Sequence, residues 1–321
     1  MKNVLFATTA LIATAGIASA EVSLSGSAEM GIIGGDQGIT NVAGNNNDTN
    51  FADQFHTDID VTFTLSGESD NGITFGATID LDEEGGFANT NGGPEAVFIS
   101  GDFGTLTMGD TDGALDKAVA ETDLIGDIAD ASTTYSVKSA AFMDGLLDGQ
   151  VARYDYSIAG FGLSLSAETD DTGVNDTVWG FGATYSVAGF DFGAGFQGGE
   201  SNTGVNQEGW MVSAATTFGA VDVVANYGEG ATNIDGAVDP IAVRYNIAAV
   251  YTMDALSLGA NYGEIHTDGV STDKGFGLAA NYDLGGGLVL QAGFGEQTVD
   301  NVGVSGDDPI NMYSLGLSMS F

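Results

Sequence analysis

Apolar and polar residues alternate along most of this chain with a period of two, the spacing that puts successive side chains on opposite faces of a β-strand. From Val22 to Ile32 the apolar positions are Val22, Leu24, Ala28, Met30 and Ile32, set against Ser23, Ser25, Ser27 and Glu29. Between Phe55 and Ser66, the residues Phe55, Ile59, Val61, Phe63 and Leu65 oppose His56, Asp58, Asp60, Thr62, Thr64 and Ser66. The stretch Ile73 to Asp82 repeats the pattern, with Thr74, Thr78, Asp80 and Asp82 on its polar side. It persists in the second half, where Phe161, Leu163, Leu165 and Ala167 oppose Ser164, Ser166 and Glu168, and where Val243, Tyr245, Ile247, Ala249 and Tyr251 share one side. Counting such segments predicts about sixteen strands, each near the roughly 9 to 11 residues that cross a bilayer at a tilt. Glu95 to Gly101 and Thr105 to Asp110 carry the pattern more weakly.

The connections fall into two classes. Short turn signals (Gly67 to Gly72, Gly101 to Gly104, Ser157 to Gly160, Ala188-Gly189, Gly219-Ala220, Asp254-Ala255 and Gly285 to Gly287) alternate with longer polar stretches. The longer ones are Gly34 to Gln54, Glu83 to Gly93, Thr169 to Asn175, Gly199 to Glu208, Glu229 to Pro240, Gly263 to Asp273 and Glu296 to Asp308. Short turns at one end and long loops at the other are the signature of a transmembrane barrel. A soluble sheet would need a second layer over its apolar face, and the sequence offers no helical layer to provide one. In a bilayer every strand edge must be paired, so the sheet closes, turns its apolar face to lipid and keeps its polar face inside. About sixteen strands leave room for water within. The expected fold is all-β: a transmembrane antiparallel β-barrel with a constriction loop folded inward after strand 5. Aromatics near the turns (Phe75, Phe103, Tyr156, Phe161, Tyr185, Phe190, Phe218, Tyr251 and Tyr282) are expected at the membrane interface.

The longest break in the alternation runs from Gly109 to about Gly149. It carries Asp110, Asp112, Asp116, Glu121, Asp123, Asp127 and Asp130, the candidate constriction carboxylates. Ala, Leu and Lys favour helix, so Ala114 to Ala120 is expected to form a turn or two of it.

Composition adjusts this reading at several points. Met1-Lys2-Asn3, an apolar run from Val4 to Ile17 and Ala18-Ser19-Ala20 are the three parts of a secretory signal peptide, so residues 1–20 are expected to be removed and 21–321 to form the barrel. The formal charge is −39, with 45 acidic residues against 6 Lys plus Arg, which argues against nucleic-acid partners because no basic patch can neutralise phosphate. A hydrophobic content of 43% argues for a folded chain despite that charge. Without cysteine, stability must come from backbone pairing and packing.

The other chemistry is thin. Gly193 to Gly198 matches the GxGxxG spacing of dinucleotide sites but lies inside an alternating strand with no helix to follow. Asp110-Thr111-Asp112-Gly113 begins like a calcium loop and lacks the remaining ligand spacing. No cofactor is required, although carboxylates this dense are candidates to collect Ca²⁺ at the acidic loops. His56 and His266 stand far apart without a neighbouring Cys or second His, no GxSxG elbow is present, and nothing points to an enzyme.

The last strand, Asn311 to Phe321, sets Tyr313, Leu315, Leu317, Met319 and the terminal Phe321 on one face, and resembles the assembly signal of outer-membrane proteins. With the start Glu21-Val22-Ser23-Leu24-Ser25-Gly26, the block Val97 to Gly104 continuing to Met108-Gly109-Asp110, and Tyr282-Asp283-Leu284-Gly285-Gly286-Gly287, the chain resembles the Gram-negative general diffusion porins of the Rhodobacter type. That resemblance implies a homotrimer of sixteen-stranded barrels in the outer membrane, among lipid and lipopolysaccharide and inserted by the barrel assembly machinery. It also implies a third long loop that narrows each channel for small hydrophilic solutes and ions. The family opposes loop carboxylates with a cluster of basic side chains, and here the sequence departs. Beyond the leader only Lys117, Lys138, Arg153, Arg244 and Lys274 are basic. By strand parity Arg153 and Arg244 point inward with His56, Asp58, Asp60, Asp80 and Asp82, so the pore wall is expected to be largely acidic and the channel cation-selective. Two rival readings are a solute-specific channel of the same fold and a secreted acidic adhesin or β-solenoid; the chain lacks the tandem GGxGxD repeats of the latter.

Overall fold

The computed structural model describes residues 21–36, 50–82, 95–129, 150–170, 176–200, 206–233, 241–269, 271–301 and 309–321. Sixteen strands close into one antiparallel barrel in which every strand pairs with its neighbours in sequence. β1 (Glu21–Asp36) pairs with β2 (Asn50–Glu68) and also with β16 (Ile310–Ser320), and the second pairing seals the sheet. The intervening strands are β3 (Thr74–Asp82), β4 (Glu95–Gly101), β5 (Gly104–Gly109), β6 (Val151–Ile158), β7 (Phe161–Glu168), β8 (Val178–Val187) and β9 (Phe190–Glu200). They continue with β10 (Asn206–Phe218), β11 (Val221–Asn233), β12 (Ile241–Met253), β13 (Leu256–Thr267), β14 (Ser271–Gly285) and β15 (Leu288–Asn301). The one helix among the described residues is α1 (Ala114–Ala118), between β5 and β6.

Closure follows from the alternation. Val22, Leu24, Leu65, Ile79, Leu165, Phe181, Ile247, Leu258, Leu278 and Leu315 all lie exposed on one side of the sheet. Leaving such side chains in water would forgo roughly 1.5 to 3 kcal/mol apiece, and lipid removes that cost. The alternate positions carry Ser, Thr, Asn, Asp and Gly and face the lumen. A water-filled barrel has no central core, and the buried apolar cluster of Leu115, Val119 and Met211 lies where α1 meets the wall.

The short turns fall where the sequence puts them. Ala159-Gly160 and Ala188-Gly189 have positive φ at both positions (51° and 84°, 53° and 83°), the left-handed pair that matches hairpin twist. Aromatics gather on the outer face at this end: Phe161 stacks on Tyr185 with ring centroids 4.2 Å apart, and Phe190 meets Phe218 edge-on at 6.2 Å.

At the opposite end the strands run further than the sequence suggests. Gly263 to Asp273 reads as a polar loop, yet β13 continues to Thr267 and β14 resumes at Ser271. The register Gly263↔Gly275 and Glu264↔Lys274 keeps the ladder paired through this stretch. Backbone pairing continues past the apolar band, where polar side chains no longer interrupt it because both faces meet water. β11 and β15 likewise reach into the expected loops, to Asn233 and Asn301.

Candidate functional site

The chain leaves β5 at Gly109, whose φ of +135° is open to glycine and closed to other residues. Asp110 then donates its N–H to the Glu95 carbonyl at 2.8 Å, turning the segment off the sheet. From there to Ala129 it touches strands spaced around most of the barrel, which is geometrically feasible only along the inner wall. Ala114 N–H donates to Ser166 Oγ of β7 at 2.9 Å, and Ala120 N–H donates to Ser213 Oγ of β10 at 2.9 Å. Asn226 of β11 donates to the Ala120 carbonyl at 3.3 Å, and Asn281 of β14 donates to the Gly126 carbonyl at 2.9 Å. Ser314 of β16 donates to Asp127 at 3.1 Å, and Ala129 N–H donates to Glu29 of β1 at 3.0 Å. Nearly every anchor is a short neutral side chain. Asn246 of β12 backs Asn226 with a 2.6 Å bond and extends the amide row under the segment.

Packing follows the same track. Inward-facing positions of β8 and β9 are glycines, Gly180, Gly182, Gly193 and Gly195, and α1 rests directly on them. A Cβ on Gly195 would stand 2.7 Å from Leu115 Cα, and one on Gly182 would stand 2.8 Å from Ala118 Cβ. Further along, Ile125 lies over Gly259, and Ile128 lies over Gly31 and Gly316. This accounts for the first two glycines of the GxGxxG spacing: Gly193 and Gly195 give clearance to a helix rather than to a phosphate. Their sequence signal was visible as glycine recurring at lumen-facing positions of two adjacent strands. Ser166, Ser213, Asn226, Asn281 and Ser314 were missed as anchors because small polar residues are ordinary on any lumen face.

The expected constriction carboxylates divide. Asp110, Asp112 and Glu121 are exposed, and Asp116 and Asp123 are partly exposed. Asp127 is only 1% exposed, turned into the wall against Ser314. Asp130 and Lys138 lie outside the described residues, as does the side chain of Asp82.

On the wall, His56, Asp58, Asp60, Asp80, Arg153 and Arg244 all share the lumen side by register with neighbours that touch the inner segment. Glu29 pairs in register with Asp58, and Ser27 with Asp60. Ser27 donates to Asp60 at 3.0 Å and Thr62 donates to Asp80 at 3.2 Å, so hydroxyls hold these partly exposed carboxylates in place. His56 Nε2 stands 3.8 Å from the Glu29 carboxylate that anchors Ala129. Arg153 is almost fully buried. Its Nε donates to Asp155 at 2.9 Å, and its guanidinium also bonds Thr111 Oγ1 at 3.0 Å and the Asp112 carbonyl. Its charge therefore serves the root of the inner segment. Lys274 is exposed on the lipid-facing parity, in register with Glu264. Among the described residues no group of three or more His, Cys, Asp or Glu is arranged to hold a metal ion.

A closed sixteen-stranded barrel with an apolar outer surface, a polar lumen and an inner-wall segment after β5 is the architecture of a diffusion channel. The family model for Gram-negative porins matches residues 7–302. The chain belongs to the Gram-negative porins. It is 28% identical to a porin of Rhodobacter capsulatus over 314 residues, covering 88% of this chain and 96% of that one. Among solved structures, a porin refined at 1.8 Å is 25% identical, with a TM-score of 0.68 over 94% of this chain and all of the other. A triple mutant of the Rhodopseudomonas blastica porin is 21% identical, with a TM-score of 0.65 and the same coverage, and shares the fold. The porin described here is thus an outer-membrane channel for general diffusion.

Proposed function

We propose that this porin passes small hydrophilic solutes by size exclusion at its inner segment and favours cations. The observation that carries the reading is the disposition of charge. Arg153 is taken up by Asp155, Thr111 and the Asp112 carbonyl, while Asp58, Asp60 and Asp80 remain partly exposed on the wall. Asp110, Asp112, Glu121 and Asp123 add carboxylates from the segment itself, so the passage is bordered by negative charge on both sides. The Debye length is about 8 Å at physiological salt, comparable with a narrowed opening, so these charges act on an ion throughout it. Lys117 on α1 and Arg244 on β12 are the other basic side chains among the described lumen residues.

The family membership supports three further assignments: a cleaved leader at residues 1–20, a homotrimer among lipid and lipopolysaccharide, and recognition of the strand ending at Phe321 by the assembly machinery. Outward Tyr313, Leu315, Leu317 and Met319 fit that last role. Ca²⁺ at the acidic loops is compatible with their chemistry and is not needed for conduction. The deciding experiment is the reversal potential of the purified protein in a planar bilayer under a KCl gradient. A sign showing K⁺ preference is expected; a neutral or anion-preferring channel overturns the reading.

A further inference from the structure

We infer that the glycines under α1, chiefly Gly182 and Gly193, set the width of the opening, although none of their atoms borders it. The inference rests on the inner segment being the constriction.

The seat is unusually close. A Cβ on Gly193 would overlap the Ala118 carbonyl oxygen and stand 2.6 Å from Ser213 Oγ, the acceptor that holds Ala120. A Cβ on Gly182 would overlap the Ala114 carbonyl oxygen and stand 2.8 Å from Ala118 Cβ. These obstacles are helix backbone, and backbone cannot rotate aside as a side-chain tip can. Behind the glycines the sheet is fixed as well, because β8 and β9 are paired with each other and with β7 and β10. A methyl group at either position must therefore lift α1 away from the wall by about 1 Å to restore ordinary contact. The direction of that lift is into the lumen.

The neighbouring anchors give the lift a hinge. Arg153 holds Thr111 and Asp112 just before α1, and Ser213 holds Ala120 just after it. With both ends tied, the helix bows inward and carries Lys117, exposed on its free side, with it. Depth of seating thus becomes a specificity determinant: the exclusion limit depends on side-chain volume buried beneath the segment, while the wall carboxylates Asp58, Asp60 and Asp80 stay in place.

The test uses the full chain and compares Gly182→Ala, Gly193→Ala and Gly195→Ala with Ala249→Val, which adds bulk to the lipid-facing side of β12, away from the inner segment. Gly195→Ala is the milder form, since it meets Leu115 partly through the flexible Cδ1 at 2.6 Å. Single-channel conductance should fall by about a third in Gly182→Ala and Gly193→Ala and by less in Gly195→Ala, with no change in Ala249→Val. Liposome swelling should shift to smaller sugars in the same order. If the stronger variants fail to assemble, Gly195→Ala carries the comparison. Because the chain has no cysteine, Lys117→Cys with a bulky thiol reagent separately checks the premise. A drop in current on labelling with unchanged conductance in all the glycine variants overturns the seating inference alone. Labelling without effect on current overturns the constriction reading beneath it.

Discussion

Arg153 Nε donates to the Asp155 carboxylate at 2.9 Å across two positions of the same strand, and the same guanidinium reaches Thr111 and the Asp112 carbonyl on the segment that enters the lumen. An ion pair of this kind neutralises itself locally and leaves its spare donors for structure. The fork matters more than the charge, because lysine cannot reproduce several directed donors from one planar group. Arg153→Lys should therefore retain selectivity yet loosen the segment's root, seen as increased open-channel noise. Arg153→Ala should loosen the root at least as much, leaving the partly exposed Asp155 with the Ser164 hydroxyl that donates to it at 2.6 Å. Noise at the wild-type level in the lysine variant would show that the fork has no role.

Neutralising the wall should move selectivity without moving size. Asp58→Asn, Asp60→Asn and Asp80→Asn together keep the hydrogen-bond acceptors that Ser27 and Thr62 use. The K⁺ over Cl⁻ permeability ratio is expected to drop by at least about twofold at low salt and to converge with the parent near 1 M, where the Debye length is about 3 Å. Sugar permeation should be unaltered. A ratio that is insensitive to these three residues would place the selecting charges on the inner segment.

Much of this was legible in the chain because barrel physics is written residue by residue. The alternation of Val22 to Ile32 or Phe161 to Glu168 fixes which side faces lipid, and strand parity places Arg153 and Asp60 in the lumen without any structure. Partners are another matter. That Arg153 bonds Thr111, 42 positions away, depends on where a non-repeating segment lies, and its acidic sequence has no period to follow. Asp127 illustrates the same limit: in sequence it is one carboxylate in a run, whereas in the barrel it is turned into the wall beside Ser314. The glycines at 193 and 195 fall in a spacing with a known chemical use, which the alternating strand around them already argued against, and in the barrel they serve clearance. The extra length of β13 and β14 escaped notice because polar residues such as His266 and Thr272 resemble loop when strand pairing outlasts the apolar band.

The inner segment should be separable from the barrel in stability. Leu115 is completely buried, in a cluster with Val119 and Met211 at the foot of α1. Leu115→Ala should cost the segment about 2 to 5 kcal/mol of local packing. The barrel's own ladder is untouched by that change, so its heat-modifiable gel migration should shift by no more than a few degrees. Protease cleavage between β5 and β6 should instead rise, accompanied by flickering current. A large loss of barrel heat resistance would mean that segment and wall unfold as one unit.

The lipid-facing assignment can be tested with one residue on each face. Leu165 is 53% exposed on β7, opposite Phe181 and between the stacked Phe161–Tyr185 pair at one end and Trp179 towards the other, so its side chain lies within the hydrocarbon band. Arginine there must bring a charge into lipid or drag water to it, at about 2 to 4 kcal/mol near the midplane. Thr64 sits on the opposite parity of β2, in register with Ser23 and Thr78, and faces water. Thr64→Arg should assemble normally and reduce cation preference by adding a positive charge to the acidic side of the lumen. Leu165→Arg should reduce the yield of folded, heat-modifiable barrel while leaving the permeability ratio of the surviving channels unchanged. The reverse pattern, a tolerant Leu165 and an intolerant Thr64, would invert the two faces and with them the placement of every wall carboxylate.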